Sequence, residues 1–236
     1  MSEYSYQGTE LDLFQHAVRW KGYYAGILKP FIIGDVLEVG AGIGGTTRLL
    51  CGPTPRSWTC LEPDGQIASR LAESLATLPL PLPSEVLTGT LESLPPVRTF
   101  DTLLYIDVLE HIEDDYAELR LAAARLRPGG HVIVLSPAHN WLFSPFDAAI
   151  GHFRRYSRKS LLAVAPDSLQ LVKAFYLDSV GMAASFANRM FLKASSPTLA
   201  QIHFWDRNLV RASQLVDPLV GRRMGKTVIA IWRRPT

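Results

Sequence analysis

Three stretches of this chain carry residue types and spacings that can do chemistry. The first is Val36-Leu37-Glu38-Val39-Gly40-Ala41-Gly42-Ile43-Gly44-Gly45, an apolar run that meets an acid and then a glycine-rich turn. Thr46-Thr47-Arg48-Leu49-Leu50 reads on as a helix. Strand, tight turn and helix in that order let a nucleotide lie against bare backbone at a helix N-terminus. The spacing is open to two readings: Gly40, Gly42 and Gly45 fit G-x-G-x-x-G, while Gly40, Gly42 and Gly44 fit the tighter G-x-G-x-G. The second stretch ends in Glu62, after the apolar Trp58-Thr59-Cys60-Leu61 and eighteen residues past Gly44. A carboxylate there can accept both hydrogen bonds of a ribose diol. The third gathers Asp107, Glu110 and His111 with a later irregular segment holding His139, Trp141, Phe143, Phe146, His152, Arg154, Arg155 and Tyr156. Imidazole titrates near neutral pH, so His152 leads the candidates for a general base, with Asp107 and His139 behind it. The bland alternatives are a helix N-cap for Asp107 and hydrogen-bonded packing for the histidines. Arg154 and Arg155 can clamp a carboxylate or phosphate. The aromatic residues can wall a ligand site or simply pack.

These groups need a scaffold, and the apolar periodicity supplies one. Leu13, Ala17, Trp20, Tyr24 and Leu28 recur at helical spacing over residues 10–29, up to Pro30. Short strands are predicted at 36–39, 58–61, 85–88, 101–107, 131–135, 169–176 and 227–232. Helices fall between them over 46–50, 65–77, about 112–126 and 176–193. Such alternation implies a parallel sheet covered on both faces. Residues 137–160 lack clean periodicity, and a long irregular segment after a core strand is usually functional.

The chain has 236 residues with a formal charge of +2, which suits one domain with a real core. Charge is unevenly spread: residues 1–150 hold ten Lys/Arg against eighteen Asp/Glu, and residues 151–236 hold fourteen against four. Either the two halves neutralise one another, or the basic part meets an anionic substrate or surface. Cys51 and Cys60 have neither metal-ligand spacing nor a disulfide framework. The first residues, Met1-Ser2-Glu3-Tyr4-Ser5-Tyr6, do not read as a signal peptide, and no apolar stretch reaches membrane-span length, so a cytoplasmic protein is expected. The apolar helix around Val180–Phe191, flanked by Arg189 and Lys193, could pack internally, form a homodimer contact or rest on a membrane surface.

Four motifs in order, Leu37-Glu38-Val39-Gly40-Ala41-Gly42-Ile43-Gly44, Leu61-Glu62-Pro63-Asp64, Ile106-Asp107-Val108-Leu109-Glu110-His111-Ile112 and Leu126-Arg127-Pro128-Gly129-Gly130, resemble those of class I S-adenosylmethionine (SAM)-dependent methyltransferases. The resemblance covers nearly the whole chain. Gly151-His152-Phe153-Arg154-Arg155-Tyr156, after Ser136-Pro137-Ala138, further resembles a bacterial subgroup found beside sugar-transferring enzymes of cell-surface polysaccharide pathways. The resemblance implies a Rossmann-like α/β fold: a seven-stranded, mostly parallel sheet with helices on both faces and the last strand antiparallel. One domain would span 1–236, with a helical cap at 1–30 and acceptor-side lid elements at 137–160 and 176–215. It implies SAM as cofactor and S-adenosylhomocysteine as product. Glu38, Gly40, Gly42, Gly44, Glu62 and Pro63 would bind the cofactor, Asp107 its methionine end, and Thr90 with Leu91 its adenine, where the family's usual acid is missing. His111, Trp141, Phe146, Arg154, Arg155 and Tyr156 would bind the acceptor. The expected activity is O-methylation of a sugar-containing or other small-molecule acceptor, without nucleic acid or metal. Two rivals are weighed. An NAD-dependent reductase would want Tyr-x-x-x-Lys, but Lys159 lies one position short after Tyr156. The other is a non-catalytic SAM-binding scaffold protein.

Overall fold

The apolar runs pair into one seven-stranded sheet of order β3-β2-β1-β4-β5-β7-β6. The computed structural model describes residues 10–191 and 198–236, with backbone only at 10 and 188–191. The strands are β1 (Gly34–Val39), β2 (Pro55–Glu62), β3 (Ser84–Thr88), β4 (Phe100–Ile106), β5 (Leu126–Pro137), β6 (Gln170–Leu177) and β7 (Thr227–Arg233). β1 to β5 pair in parallel, and β7 runs antiparallel to both β5 and β6. The expected fold class is therefore what forms. β7 inserts between β5 and β6 because it has no polar face to leave in water: every residue from Thr227 to Trp232 is buried. Ile229 and Ile231 join the apolar layer on one side of the sheet, and Val228, Ala230 and Trp232 the layer on the other.

The helices are α1 (Glu10–Phe14), α2 (Val18–Leu28), α3 (Thr47–Leu50), α4 (Gly65–Thr77), α5 (Asp115–Arg125), α6 (Pro145–Ala149), α7 (Arg158–Ala163), α8 (Ser179–Phe191), α9 (Leu199–Phe204) and α10 (Val210–Leu219). A π-helical segment, Trp205–Leu209, joins α9 to α10. Trp20, Tyr24 and Leu28 of α2, with Trp205 and Val210, pack on the sheet face of Val36, Leu104 and Ile231. Leu119 and Ala122 of α5, with Leu161 of α7, cover the opposite face at Leu37, Leu103 and Tyr105.

Three elements differ from their expected form. The helix predicted over 10–29 breaks between α1 and α2, because the Asp206 carboxylate accepts from Arg19 N (3.1 Å) and Trp20 N (2.8 Å) and starts a new helix there. The helix predicted from about 112 begins at Asp115, where the Asp114 side chain accepts from Ala117 N at 2.9 Å. Leu109–His111 form a separate 3₁₀ turn. Residues 137–160 are not structureless: they hold a 3₁₀ turn, α6 with a Ser144–Asp147 capping box, and the start of α7. Their two ends are tied, His139 N to Tyr156 O at 2.8 Å and Tyr156 N to Pro137 O at 2.9 Å. The N-terminal run 1–6, Lys193 and the Arg189 side chain lie outside the described residues. Among those described, no helix is long and apolar enough to cross a membrane.

Candidate active site

The glycine turn after β1 is shaped by positive backbone angles at Gly40, Gly42 and Gly44 (φ 64°, 56° and 79°). At Gly40 a Cβ would come within 2.6 Å of Val108 Cγ2, and at Gly44 within 2.6 Å of Leu71 Cδ1, so both must be glycine on dihedral and steric grounds. Glu62 holds this turn from the next strand, its Oε2 accepting from Gly42 N (2.8 Å) and its Oε1 from Asp64 N (3.1 Å). Burial raises the Glu62 pKa above its ordinary value against those two backbone bonds.

A cavity of about 1070 Å³ opens over the turn, lined by Glu38, Gly40, Ala41 and Gly42. That exceeds the roughly 300–1,000 Å³ of a usual small-molecule pocket, leaving room for two molecules side by side. α2 closes one wall with Trp20, Lys21 and Tyr24. Lys21 Nζ stands directly over the turn, 2.7 Å from where a Gly45 Cβ would be. Glu38 is buried and accepts from Trp58 Nε1 at 2.9 Å. Burial pushes its pKa up to about 7, opposed by its hydrogen bonds and by Lys21. Burial lowers the Lys21 pKa, opposed by Asp107, Glu38 and Asp206. A buried carboxylate and a buried ammonium at one turn suit a zwitterion, the form of an amino-acid headgroup.

At the far end the cavity meets Asp107, Glu110, His111, Asp147, His152 and Arg155. Asp107 follows β4 with φ 55°, a left-handed conformation that aspartate tolerates better than most residues. Its side chain is open to the cavity yet deep in the molecule, and this burial pushes its pKa up to about 6, against the pull of His152, Lys21 and Lys226. His152 Nδ1 lies 3.0 Å from Asp147 Oδ1, and Arg155 donates to both oxygens of the same carboxylate at 2.8 and 2.9 Å. Burial works to raise the Asp147 pKa, but its bonds to His152 and Arg155 hold it below the ordinary carboxylate range. Burial, with the neighbouring His152, pushes the His111 pKa down to about 4. Buried Glu110 is pushed well above 4.5, first by burial and then by Asp107.

The structure thus brings together Glu38, Gly40, Gly42, Asp107, His111, Phe146, His152 and Arg155 around one space. Other residues singled out in the sequence do not line it. Tyr156 is a core residue whose hydroxyl donates to Asp115 Oδ2 at 2.6 Å. Arg154 pairs with the same Asp115 at 2.6 Å. Trp141 is half exposed and meets Phe186 edge-on, and His139 stacks on Trp141 and Tyr176. Leu91 is fully buried in the core, and Thr90 is exposed ahead of a 3₁₀ turn. Sequence reasoning missed Lys21, Asp147 and Lys226, all at the cavity. Lys21 had a visible signal: it shares the helical face of Tyr24, Ala25 and Leu28, where a lysine has no business unless something polar meets it.

Residues 37–132 match the family model of a methyltransferase domain. A ubiquinone biosynthesis O-methyltransferase of Rhodopseudomonas palustris is 30% identical over 107 residues, covering 45% of this chain and 41% of that protein. The chain therefore aligns with less than half the length of this curated relative. The YcgJ protein from Bacillus subtilis superposes with a TM-score of 0.61 at 16% identity, over 91% of this chain and 98% of that one. The N-methyltransferase NodS from Bradyrhizobium japonicum, in complex with S-adenosylhomocysteine, superposes with a TM-score of 0.59 at 14% identity, over 94% and 89%. The matched segment is a methyltransferase domain by its family model, and strand order and glycine turn give the chain the fold of these solved structures.

Proposed function

We propose that the protein transfers a methyl group from SAM to an oxygen of a small-molecule acceptor. The observation that carries this reading is the single cavity running from the glycine turn, with Glu38 and Lys21, to Asp107, His111 and His152. Glu38 would meet the ammonium of the cofactor's methionine part and Lys21 its carboxylate. Gly40 and Gly42, which line the cavity, would admit it to the backbone with Gly44 completing the turn, and Glu62 with Pro63, behind the lining, would serve the ribose side. Thr90 and Leu91 would contribute backbone to the adenine side. When bound, SAM supplies an already activated methyl, so the chain's share is alignment of the acceptor oxygen and removal of its proton. The Asp147–His152 pair suits that second task, since the carboxylate fixes one ring nitrogen and leaves the other for the acceptor. O-directed transfer is supported by the named activity of the partial relatives. The walls are strongly apolar at Phe14, Phe143, Phe146, Ile202, Phe204 and Trp205, so the acceptor we infer has an apolar body, as a sugar-containing, lipid-linked molecule would. An NAD-dependent reductase has less support, because Tyr156 is sealed in the core on Asp115.

Calorimetry is expected to show binding of SAM and S-adenosylhomocysteine and none of NAD. Lys21→Met should weaken SAM by roughly 1.5–3 kcal/mol, the range for a hydrogen bond to a charged group. NAD binding without response to either SAM compound overturns the reading, and an unchanged Lys21→Met removes Lys21 from the cofactor. Label transfer from methyl-labelled SAM into lipid, nucleotide-sugar, protein and RNA fractions then identifies the acceptor class.

Residues 137–160, with the described parts of 176–215 and of the 1–30 cap, supply most of the walls away from the sheet, and we assign these segments to acceptor entry. Hydrogen exchange should be faster in 137–160 than in the sheet strands and slow on adding cofactor with acceptor. Protection equal to that of β4 and β5 in the free protein refutes the assignment.

A further inference from the structure

Glu110 is wholly buried at the acceptor end of the cavity. Its Oε2 accepts from Ser136 Oγ at 2.9 Å, but Oε1 is buried with no hydrogen-bond partner among the described residues. Leaving a buried carboxylate oxygen without a donor costs stability, so its retention wants a reason. The polar atom facing it is His152 Nε2 at 4.0 Å, too far for a hydrogen bond. His111 packs edge-on against the same imidazole, ring centroids 4.5 Å apart. One ligand atom from each of Glu110, His111 and His152 lies within 4.8 Å of the others.

We propose that Glu110, His111 and His152 bind a divalent transition cation of the zinc type. Two imidazoles and a carboxylate form the nitrogen–oxygen set that such ions favour, and three protein ligands leave a position open, here toward the cavity. The gap between Glu110 Oε1 and His152 Nε2 is what an ion between them would fill, since ligands of one zinc stand roughly 3–4 Å apart. The wider spacing within the set closes by small side-chain rotations. The supporting groups are those of a metal centre. His152 is steadied through Nδ1 by Asp147, itself gripped by Arg155 and Ser144, and His111 is hydrogen-bonded to the Gly151 backbone.

The role of this cation rests on the methyltransferase reading, although its binding does not. A hydroxyl on the open position would be acidified and lose its proton to cavity water. The freed oxygen pair would form the new C–O bond as the methyl–sulfur bond breaks and S-adenosylhomocysteine departs. His152 then acts as a ligand of the ion that acidifies this hydroxyl, and cavity water takes the proton.

The test is titration of chelator-treated protein with Co²⁺ without cofactor, followed by visible absorption, with zinc as competitor. We expect one Co²⁺ per chain, displaced by zinc. Glu110→Gln and His111→Ala should each weaken binding at least 100-fold, and Asp147→Asn about 10–100-fold, as for a group supporting a ligand. His131→Ala, away from the cavity, should bind as the parent does. If Glu110→Gln fails to fold by circular dichroism, His111→Ala carries the test. No stoichiometric Co²⁺, or binding indifferent to His111→Ala, overturns the proposal. SAM calorimetry on the same metal-free protein separates the failures: SAM binding without Co²⁺ binding sinks the cation alone, whereas loss of SAM binding in folded protein sinks the methyltransferase reading.

Discussion

Replacing His152 by alanine is expected to lower turnover about 10²–10⁴-fold, the usual contribution of a positioned acid–base group. SAM affinity should change little, because the cofactor headgroup is assigned to Glu38 and Lys21, at the other end of the cavity. Folding should survive. His152 gives up one bond to Asp147, whose carboxylate keeps both bonds from Arg155 and the capping bonds of Ser144. A loss of about 1.5–3 kcal/mol in denaturant unfolding is the expected cost, that of one hydrogen bond to a charged group. The turnover effect holds whether Nε2 meets the acceptor directly or through an ion. Turnover within a few-fold of the parent would take His152 out of the chemistry and leave Asp107 as the nearest alternative. Collapse of SAM affinity together with stability would make it a structural residue.

The largest effect on stability is expected from Asp178→Ala, a residue that touches none of the proposed chemistry. Asp178 is fully buried and accepts from Trp205 Nε1 (2.8 Å), Ser213 Oγ (2.7 Å) and Gly181 N (3.1 Å). Lys226 Nζ lies 3.8 Å from its carboxylate and 4.3 Å from the centre of the Trp205 ring. Burial lowers the Lys226 pKa, and Asp178 is the first group opposing that. Alanine would strand three donors, leave Lys226 without this counter-charge, and meet a backbone angle of 64° that alanine resists. Removing one partner of a buried charged network costs about 3–5 kcal/mol, which corresponds to a Tm lowered by roughly 10 °C for a domain of this size. Differential scanning calorimetry measures it. Asp178→Asn, which keeps the shape and tolerates the angle, should recover part of the loss. A shift under 2 °C for the alanine variant would show that the network contributes little.

Much of the scaffold was legible because it is written in local patterns. α4 was expected at 65–77 and runs Gly65–Thr77, since Asp64 beside it supplies the cap to Gln66 N and Ile67 N and its apolar residues keep helical spacing. The glycine turn was legible for a similar reason: positive φ at three positions of one short turn favours glycine wherever the chain goes afterwards. The break before α2 was hidden, because its capping carboxylate, Asp206, lies 187 residues away from Arg19. α8 is likewise held at its start by Asp217 of α10, which accepts from Asp178 N at 2.8 Å and Ser179 N at 3.0 Å.

The candidate site divides along the same line. By itself the sequence determined that a strand, a glycine turn and an acid meet at one end of a mostly parallel sheet, because backbone dihedrals and apolar periodicity act over a few residues. It could also name His152 and Asp107 by their chemistry, but not separate cavity groups from packing groups among the later aromatics, histidines and arginines. Tertiary structure alone put adjacent Arg154 and Arg155 on different carboxylates, Asp115 and Asp147. It closed Tyr156 into the core and set Lys21 over the turn. It also brought Glu110 opposite His152. Those placements are decided by how layers pack elements that are not neighbours in the chain, and by which buried charge finds a partner, and neither is encoded in local spacing.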